Sequence, residues 1–194
     1  VAYSTIGYGN GGGILQWRRG EKQVMELYNT ILFGNNEDAI YSSTFDKGDG
    51  SNCYIQTTED LQNDLANKFE DSRVGRNLPS PFASANAQDE NNYRLSSDAT
   101  DCVNKGTEKY TLPSTDVDFT DRIKDCAVDI GAYELDNSKN TTPQVVGDQY
   151  TYYVTQNGDG NASGNSLENA ACAEKLQIVL NAAGELKRGN PDYT

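Results

Sequence analysis

Residues 28–35 read YNTILFGN, and residues 3–10 read YSTIGYGN, so one pattern occurs twice near the start of the chain. The identical positions are Tyr3/Tyr28, Thr5/Thr30, Ile6/Ile31, Gly9/Gly34 and Asn10/Asn35. A repeat with this spacing, with a short apolar strand and a Gly-Asn turn, predicts stacked strands in a β-solenoid. The leucine-rich repeat, the main rival solenoid, would need an L-x-x-L-x-L pattern that the sequence lacks. Two copies leave chance similarity open as an alternative.

Strand geometry assigns the repeated side chains to faces. Alternation places Ile31 and Phe33 on one face, with their counterparts from the first copy on the same face of the neighbouring unit. Stacked units would then form an aliphatic, an aromatic and an asparagine column, because Asn tolerates a tight turn and can bond to its equivalent. Ile14 and Ile40 follow the two copies at nearly the same spacing and extend the repeat.

The composition excludes several classes of protein. The 194 residues carry a formal charge of −13 and include no histidine. Such a surface repels nucleic acids and anionic lipids, whereas it attracts divalent cations such as Ca²⁺. Without His, neither a Ser-His-Asp nor a Cys-His site can be assembled from this chain alone. The 18 Gly, the 12 Tyr and the short apolar runs are typical of a loop-rich, mainly β protein, and no segment is apolar enough to span a membrane.

The four cysteines, Cys53, Cys102, Cys126 and Cys172, are scattered along the chain. None forms a C-x-x-C pair, which argues against zinc or thioredoxin chemistry. Their even number fits the disulfides of an exported protein in one of three connectivities, and four buried thiols are the alternative. The chain begins at Val1 without Met, so we expect a processed product or a fragment of a larger protein.

Two Gly-rich acidic loops are candidate cation sites. The stretch DKGDGSN offers oxygen ligands from Asp46, Asp49 and Asn52, although it lacks the bidentate Glu of an EF-hand. The stretch NGDGNASGN offers Asp159 and nearby carbonyls. Ca²⁺ is the ion that such oxygen ligands select, and a plain surface turn is the alternative in both places.

Residues 57–92 interrupt the strand pattern. Leu61, Leu65 and Phe69 recur at every fourth position, which predicts one apolar face of a short helix. Residues 72–92 are polar and contain two prolines, so they are predicted to form a loop. We therefore expect a helical and loop insertion that lies against the solenoid.

From residue 93 the chain returns to a strand-like pattern that ends in VDIGAYE (128–134). The order Y-x-L, D-C-x-N-x-G, D-x-D, Arg and V-D-I-G-A-Y-E resembles the closing region of secreted bacterial right-handed parallel β-helix proteins, the pectate-lyase-like group called choice-of-anchor Q. The matching residues are Tyr93, Leu95, Asp101, Cys102, Gly106, Asp116, Asp118, Arg122, Asp129, Ile130, Gly131, Ala132, Tyr133 and Glu134. The tripeptide FTD replaces the usual Gly-x-Pro before the Arg. The resemblance implies that residues 1–135 are the C-terminal rungs and closing region of a β-helix.

The resemblance further implies that the carboxylates near the end of this region serve structure. Asp116 and Asp118 would accept backbone N–H bonds in a tight loop, and Arg122 would bridge carboxylates. Gly131 would allow a sharp turn. The residues of this structural closing turn are Asp116, Asp118, Arg122, Asp129, Gly131 and Tyr133. A metal or sugar site is the alternative.

A disulfide is also expected in the closing region. Cys102 and Cys126 both lie at turn-to-strand positions there, so the preferred pairing joins them. Closing a loop of that size would stabilise the fold by about 3 kcal/mol.

Residues 136–149 are polar and aperiodic, which predicts a linker. Residues 150–194 then resemble the start of a second parallel β-helix domain, with a Y-Y-V strand, an N-G-x-G loop and an amphipathic capping helix. The strand is expected over residues 152–155.

The capping helix is expected over residues 167–183, with Ser166 as its N-cap and Gly184 just past its end. Its apolar stripe would consist of Leu176, Val179, Leu180 and Ala183. This helix needs a surface to cap, which missing sequence, another chain or the rungs at 1–40 would supply.

The resemblance does not fix the function, because one fold serves many functions. The favoured hypothesis is an exported bacterial surface module that is non-catalytic and binds glycan, adheres or serves structure. A polysaccharide lyase or glycoside hydrolase, with its active rungs outside or only partly inside this chain, is the alternative, and a stalk is the third. The candidate ligand-binding residues are Trp17, Arg18, Arg19 and Lys22, an aromatic and cationic group suited to an acidic sugar. A solvent-facing loop with one half-buried Trp is the alternative there.

Overall fold

The computed structural model describes residues 13–16, 25–35, 39–42, 48–57, 66–84, 89, 92–109, 112–137, 141–146 and 149–189. The first copy of the repeat, residues 3–10, therefore lies outside the described residues.

The described part of the chain between Ile14 and Gly75 contains eight short strands. They are β1 (Ile14–Gln16), β2 (Met25–Tyr28), β3 (Ile31–Leu32), β4 (Ile40–Ser42), β5 (Gly48–Ser51), β6 (Tyr54–Gln56), β7 (Phe69–Glu70) and β8 (Arg73–Gly75). All of their described pairings are parallel: β1 pairs with β4, and two three-stranded sheets have the orders β2-β5-β7 and β3-β6-β8. The prediction of short strands that stack in parallel is confirmed, and Ile14 pairs directly with Ile40.

The two three-stranded sheets share one internal repeat. Strands β2 and β3, then β5 and β6, then β7 and β8 form three successive layers, in chain order. A corner with left-handed backbone, φ between 48° and 54°, separates the two strands of every layer. The corner residues are Asn29, Asn52 and Asp71. The residue after each corner, Thr30, Cys53 or Ser72, donates its side-chain hydrogen to the carbonyl two positions earlier.

The sheet β3-β6-β8 separates two apolar clusters. Because neighbouring strand residues point to opposite faces, Ile31 and Tyr54 face one cluster while Leu32 and Ile55 face the other. The cluster around Leu32 lies on the inner face of the sheet β3-β6-β8 and includes residues of β1, β2, β4, β7 and β8. The cluster around Ile31 lies on the outer face and is completed by later parts of the chain, with Phe33 packed against it as predicted.

The predicted insertion at 57–92 is wrong in part. Phe69 lies in strand β7 rather than at the end of a helix, and residues 73–75 form β8, so this segment supplies a third layer. The Phe69 ring is accommodated because its register partner is Gly50, which has no side chain. Leu61 and Leu65 lie outside the described residues.

The closing region, residues 93–135, consists of turns rather than the predicted strands. The only β-bridges described within it, Phe82 with Leu95 and Thr115 with Asp121, are isolated pairs. Its buried side chains Val103 and Ile130 complete the outer cluster over the sheet β3-β6-β8. The closing region therefore covers that sheet.

The predicted linker at 136–149 is also wrong in part. Strands β9 (Gln144–Val146) and β10 (Gln149–Thr151) form an antiparallel pair that overlaps it. Strand β11 (Val154–Thr155) falls in the predicted strand and pairs in parallel with β12 (Ala171–Cys172).

The α-helix near the C-terminus, α1 (Leu176–Gly189), confirms a helix in this segment but not its bounds. Residues 167–169 are a 3₁₀ turn, which Ser166 precedes without a side-chain capping bond, and β12 follows. Gly184 lies inside α1 rather than past its end. Of the predicted apolar stripe only Val179 is buried. Among the described residues, no helix has the length and apolar character that a membrane crossing requires.

Two glycine substitutions test this fold. Gly50→Ala would place a Cβ 2.4 Å from both the Leu27 carbonyl and the Phe69 ring, so we expect the free energy of unfolding to fall by about 1–3 kcal/mol. Gly184→Ala meets open space inside α1, so we expect a gain of about 1 kcal/mol. Chemical denaturation of both variants measures these changes.

The two substitutions control for each other. If Phe69 belonged to a surface helix, only the Leu27 carbonyl would oppose the new Cβ, and Gly50→Ala would lower the free energy of unfolding by less than this range. If Gly184 ended the helix in a left-handed conformation, Gly184→Ala would lower stability instead. Either result contradicts the fold described above.

Candidate functional site in the closing region

The carboxylate of Asp116 organises the loop of residues 116–120. Its Oδ1 accepts the N–H groups of Asp118 at 2.9 Å and Thr120 at 3.1 Å, and the Thr120 hydroxyl at 3.0 Å. Its Oδ2 accepts the N–H of Glu134 at 3.2 Å and lies 3.3 Å from Lys124 Nζ. Burial opposes the charge, but these backbone bonds and Lys124 lower the pKa of Asp116 to about 2. The carboxylate is therefore held ionised and fully engaged.

Arg122 lies at the centre of a buried polar network. Its Nη1 donates to Glu134 Oε1, and its Nη2 donates to the carbonyl of Gly131 at 2.7 Å and to that of Asp129 at 3.3 Å. The predicted bridge between carboxylates is wrong, since Arg122 binds one carboxylate and two carbonyls. The carbonyls are available because Gly131, at φ +127°, turns the chain sharply there.

Asp129 and Glu134 extend this network along the backbone. Asp129 accepts the N–H groups of Asn104 and Leu135, both at 2.7 Å, and its own N–H donates to Glu134. Burial raises the pKa of Asp129 to about 6, against the effect of these donors. Burial, followed by the nearby Asp129 carboxylate, raises the pKa of Glu134 to about 8.

Asp118 points the other way, toward Arg94. Arg94 Nη2 donates to Asp118 Oδ1 at 2.8 Å, and its Nη1 contacts the second oxygen. The guanidinium also lies 4.6 Å from the centre of the Tyr133 ring, a cation–π distance. The predicted backbone bonds to Asp118 are thus replaced by an ion pair. The sequence offered no signal for Arg94, because its partner lies in a loop that is distant along the chain.

A second group of contacts fastens the C-terminal segment to the closing region. Cys126 and Cys172 form a disulfide with their Cα atoms 5.5 Å apart. Lys175 Nζ lies 2.8 Å from Asp125 Oδ1, and both side chains are almost fully buried. The predicted Cys102–Cys126 pairing is wrong: Cys102 is a free thiol inside the outer apolar cluster, where burial raises its pKa.

Of the predicted cation ligands, the structure describes the side-chain contacts of Asn52 and Asp159. Asp46 lies outside the described residues, and Asp49 lies in β5. Asn52 donates its amide to the Lys105 carbonyl at 2.7 Å, and the Asp159 carboxylate pairs with the Lys105 ammonium. Within the described ranges, the only close group of acidic and cysteine side chains is Asp125, Cys126 and Cys172, in which the disulfide occupies both sulfurs. The proposed sugar-binding residues Trp17, Arg18, Arg19 and Lys22 lie outside the described residues.

A cleft of about 540 Å³ lies beside the polar network, between residues 26–30 and residues 112–117. Arg122 and Gly131 line its inner side. Glu26 is an exposed lining residue, and its carboxylate has no hydrogen-bond or ion-pair partner among the residues that the structure describes. A second depression of about 410 Å³ shares Arg122 and the Leu112–Pro113 wall with the first.

Comparison with models of protein families, with curated proteins and with solved structures finds no match for this chain.

The raised pKa values predict an unusual pH dependence of stability. The folded protein keeps the Glu134 proton up to about pH 8, whereas the unfolded chain releases it near 4.5. Between these values the folded state binds more protons, so the free energy of unfolding falls as pH rises. Asp129 likewise lowers the free energy of unfolding as the pH rises from 3.8 to about 6. Asp116 has the opposite effect, because its contribution to the free energy of unfolding is lost as the pH falls from 3.8 toward 2. We expect the melting temperature to be highest at about pH 4–5.

Melting curves of the Glu134→Gln variant isolate this effect. The decline between pH 5 and pH 8 should be smaller in that variant and unchanged in Glu168→Gln, which alters an exposed carboxylate. Wild-type stability that rises steadily over the same range would contradict the proton balance assigned to Glu134.

The disulfide assignment is tested by peptide mapping without reduction. The fragments that contain Cys126 and Cys172 should remain linked, while Cys53 and Cys102 should react with an alkylating agent only after unfolding. Cys126→Ser should lower the free energy of unfolding by about 4 kcal/mol, because the lost cross-link closes a long loop. Cys102→Ala should leave the linked fragments intact. Linkage of Cys102 to Cys126 would overturn the assignment.

Proposed function

We propose that this chain belongs to an exported surface module with a right-handed parallel β-helix, and that the module binds a neutral glycan without cleaving it. Three layers of parallel strands with equivalent left-handed corners support the β-helix, since coiling of the chain brings such layers into register. The right-handed sense follows from the strong preference of parallel crossovers for that hand.

The disulfide supports an exported location. Cross-links of this kind persist in oxidising compartments and are rare in the cytosol. The formal charge of −13 suits a protein that stays soluble outside the cell and does not bind nucleic acid. The bacterial surface is the location that the closing-region motif implies.

The cleft beside the closing region carries the proposal of glycan binding. Its walls combine the exposed carboxylate of Glu26 with Tyr28 and with backbone groups of the 112–117 segment. Carboxylates are strong acceptors for sugar hydroxyls, and aromatic rings offer an apolar face with a polar tip. The second depression shares Leu112, Pro113 and Arg122 with the cleft, so the two depressions together suit a ligand of several sugar units.

The same geometry favours binding over catalysis. Glycoside hydrolysis uses two carboxyl groups that face the substrate. Asp116 and Glu26 are the two acidic residues among the described residues that line the cleft. All lone pairs of the Asp116 carboxylate are directed to backbone, hydroxyl and ammonium donors, so only the Glu26 carboxylate could face a substrate. A lyase of this kind would need a free basic side chain at the cleft. The described basic residue that lines the cleft is Arg122, which is bonded to Glu134 and to two carbonyls. A lyase or hydrolase at this cleft would need a second free acidic or basic side chain, which its described lining residues do not supply.

The charge of the site favours a neutral ligand. Glu26 and the overall charge of −13 repel acidic polysaccharides, and the Arg122 guanidinium is buried with its donors directed to Glu134 and to two backbone carbonyls. An acidic sugar would need the cationic group at 17–22, whose placement is not described.

Glycan binding is tested with hexasaccharides of glucose, mannose and N-acetylglucosamine, and with polygalacturonate as the acidic comparison. Calorimetry should detect binding of at least one neutral oligosaccharide, and Glu26→Ala should weaken it by about tenfold, the loss expected for a hydrogen bond to a charged group. Glu168→Ala removes an exposed carboxylate outside the cleft and should bind like wild type.

The same samples are analysed for reducing ends and for unsaturated ends. New chain ends would contradict the non-catalytic proposal, and the absence of binding across the panel would contradict glycan recognition at this cleft.

A further inference from the structure

Phe119 is the most exposed large hydrophobic residue that the structure describes, at 87 %. Its backbone has φ 59°, in the left-handed region. Both features are unfavourable for phenylalanine, because the ring gains nothing from burial and bulky side chains are rare at positive φ. Gly or Asn would suit this position better for folding alone. The aromatic side chain therefore has no evident role in the stability of its own chain.

The loop that carries Phe119 is nevertheless held firmly. The Phe119 N–H donates to the Asp116 carbonyl at 3.1 Å, and the Asp116 N–H donates to the Thr120 carbonyl at 2.8 Å. The Asp116 carboxylate accepts two further N–H groups from the same loop. On the preceding residue, Asp118 forms its two-pronged contact with Arg94. The ring is thus presented to solvent from a fixed backbone.

The loop lies at the edge of the cleft. Val117, which precedes Phe119 in this loop, lines the cleft and is 54 % exposed. Its N–H donates to the carbonyl of Ala132, which is another lining residue, at 3.2 Å. Phe119 lies two residues beyond Val117 in the same loop, next to the cleft in the chain although it is not itself a lining residue.

We propose that Phe119 is the stacking platform for a sugar ring at the mouth of this cleft and that it selects pyranoses with an unsubstituted face of axial C–H groups. This inference rests on the proposed glycan binding. The face of the Phe ring is electron-rich, so it attracts the weakly positive C–H groups of such a sugar while Glu26 binds hydroxyls deeper in the cleft. The fixed loop means that little conformational entropy is lost when the ring is covered.

The surroundings of Phe119 favour a sugar over an anionic membrane. Asp118 and Asp121 flank it, and the whole chain carries −13, so an anionic lipid surface is repelled. A sugar needs one ring face and nearby hydrogen-bonding groups, which this edge of the cleft supplies.

The test compares Phe119→Asn, Phe119→Tyr and Leu167→Ala with wild type in the oligosaccharide calorimetry. Asn suits the left-handed backbone, so Phe119→Asn should melt at the wild-type temperature or above and bind the neutral oligosaccharide about five- to tenfold more weakly. Phe119→Tyr keeps the ring and should bind within about twofold of wild type. Leu167→Ala removes a side chain that is 62 % exposed outside the cleft and should have no effect on binding.

The outcomes separate this inference from the proposed function. If wild type binds and Glu26→Ala weakens binding while Phe119→Asn binds like wild type, the stacking role of Phe119 is wrong. The proposed glycan binding at the cleft is then retained. A lower melting temperature for Phe119→Asn would overturn the premise that the ring serves no folding role. If wild type binds none of the oligosaccharides, both proposals fail.

Discussion

The buried guanidinium of Arg122 is the interaction on which the described structure depends most. It is 7 % exposed and donates to a carboxylate and to two backbone carbonyls, which fixes the path of residues 129–134. The carboxylates of Asp129 and Glu134 then fix further backbone groups at Asn104 and Leu135. Removing one partner of such a network leaves an uncompensated charge in the interior, at a cost of about 3–5 kcal/mol. A region of turns with almost no strand pairing is thereby given a single conformation.

The network has consequences on both of its sides. On the inner side it places Ile130 and Val103 against Ile31 and Tyr54, which explains why neighbouring residues in β3 and in β6 are both apolar. The corner asparagines reinforce this contact, since Asn29 exchanges two hydrogen bonds with the backbone of Thr107. On the outer side the network borders the cleft.

The C-terminal segment depends on the same region. The Cys126–Cys172 disulfide and the buried Lys175–Asp125 pair attach it to residues that lie just before the network. Within the described residues, the closing region is the surface to which the start of this segment is fastened. The exposed side of α1 has no role in that contact, because Val179 is its only buried residue among those described.

The sequence predicted those features that follow from local chemistry. The parallel strands around residues 28–33 were accessible because apolar alternation and a turn residue recur together. The left-handed corners were missed, although each is Asn or Asp followed by Thr, Cys or Ser. The prediction had placed the asparagine column at the Gly-Asn turns instead.

Other features required information about distant parts of the chain. The spacing of Phe69 fits a helix face. Phe69 instead lies in a strand, because its ring packs over Gly50, which has no side chain. Ala171–Cys172 fall inside the predicted helix, but pairing with β11 and the disulfide hold them extended. The partner of Cys126 and the role of Arg94 depend on how loops that are distant in the sequence meet, which no local pattern encodes.

Native-state hydrogen exchange tests the central claim most directly. The amides of Asn104, Asp129 and Leu135, which donate to buried carboxylates, should exchange as slowly as the amide of Tyr54, which bonds the Thr30 carbonyl within the sheet. They should also open together, with one shared free energy. Exchange of these three amides at the rate of an exposed loop, while Tyr54 stays protected, would contradict the view that the Arg122 network holds the closing region in place.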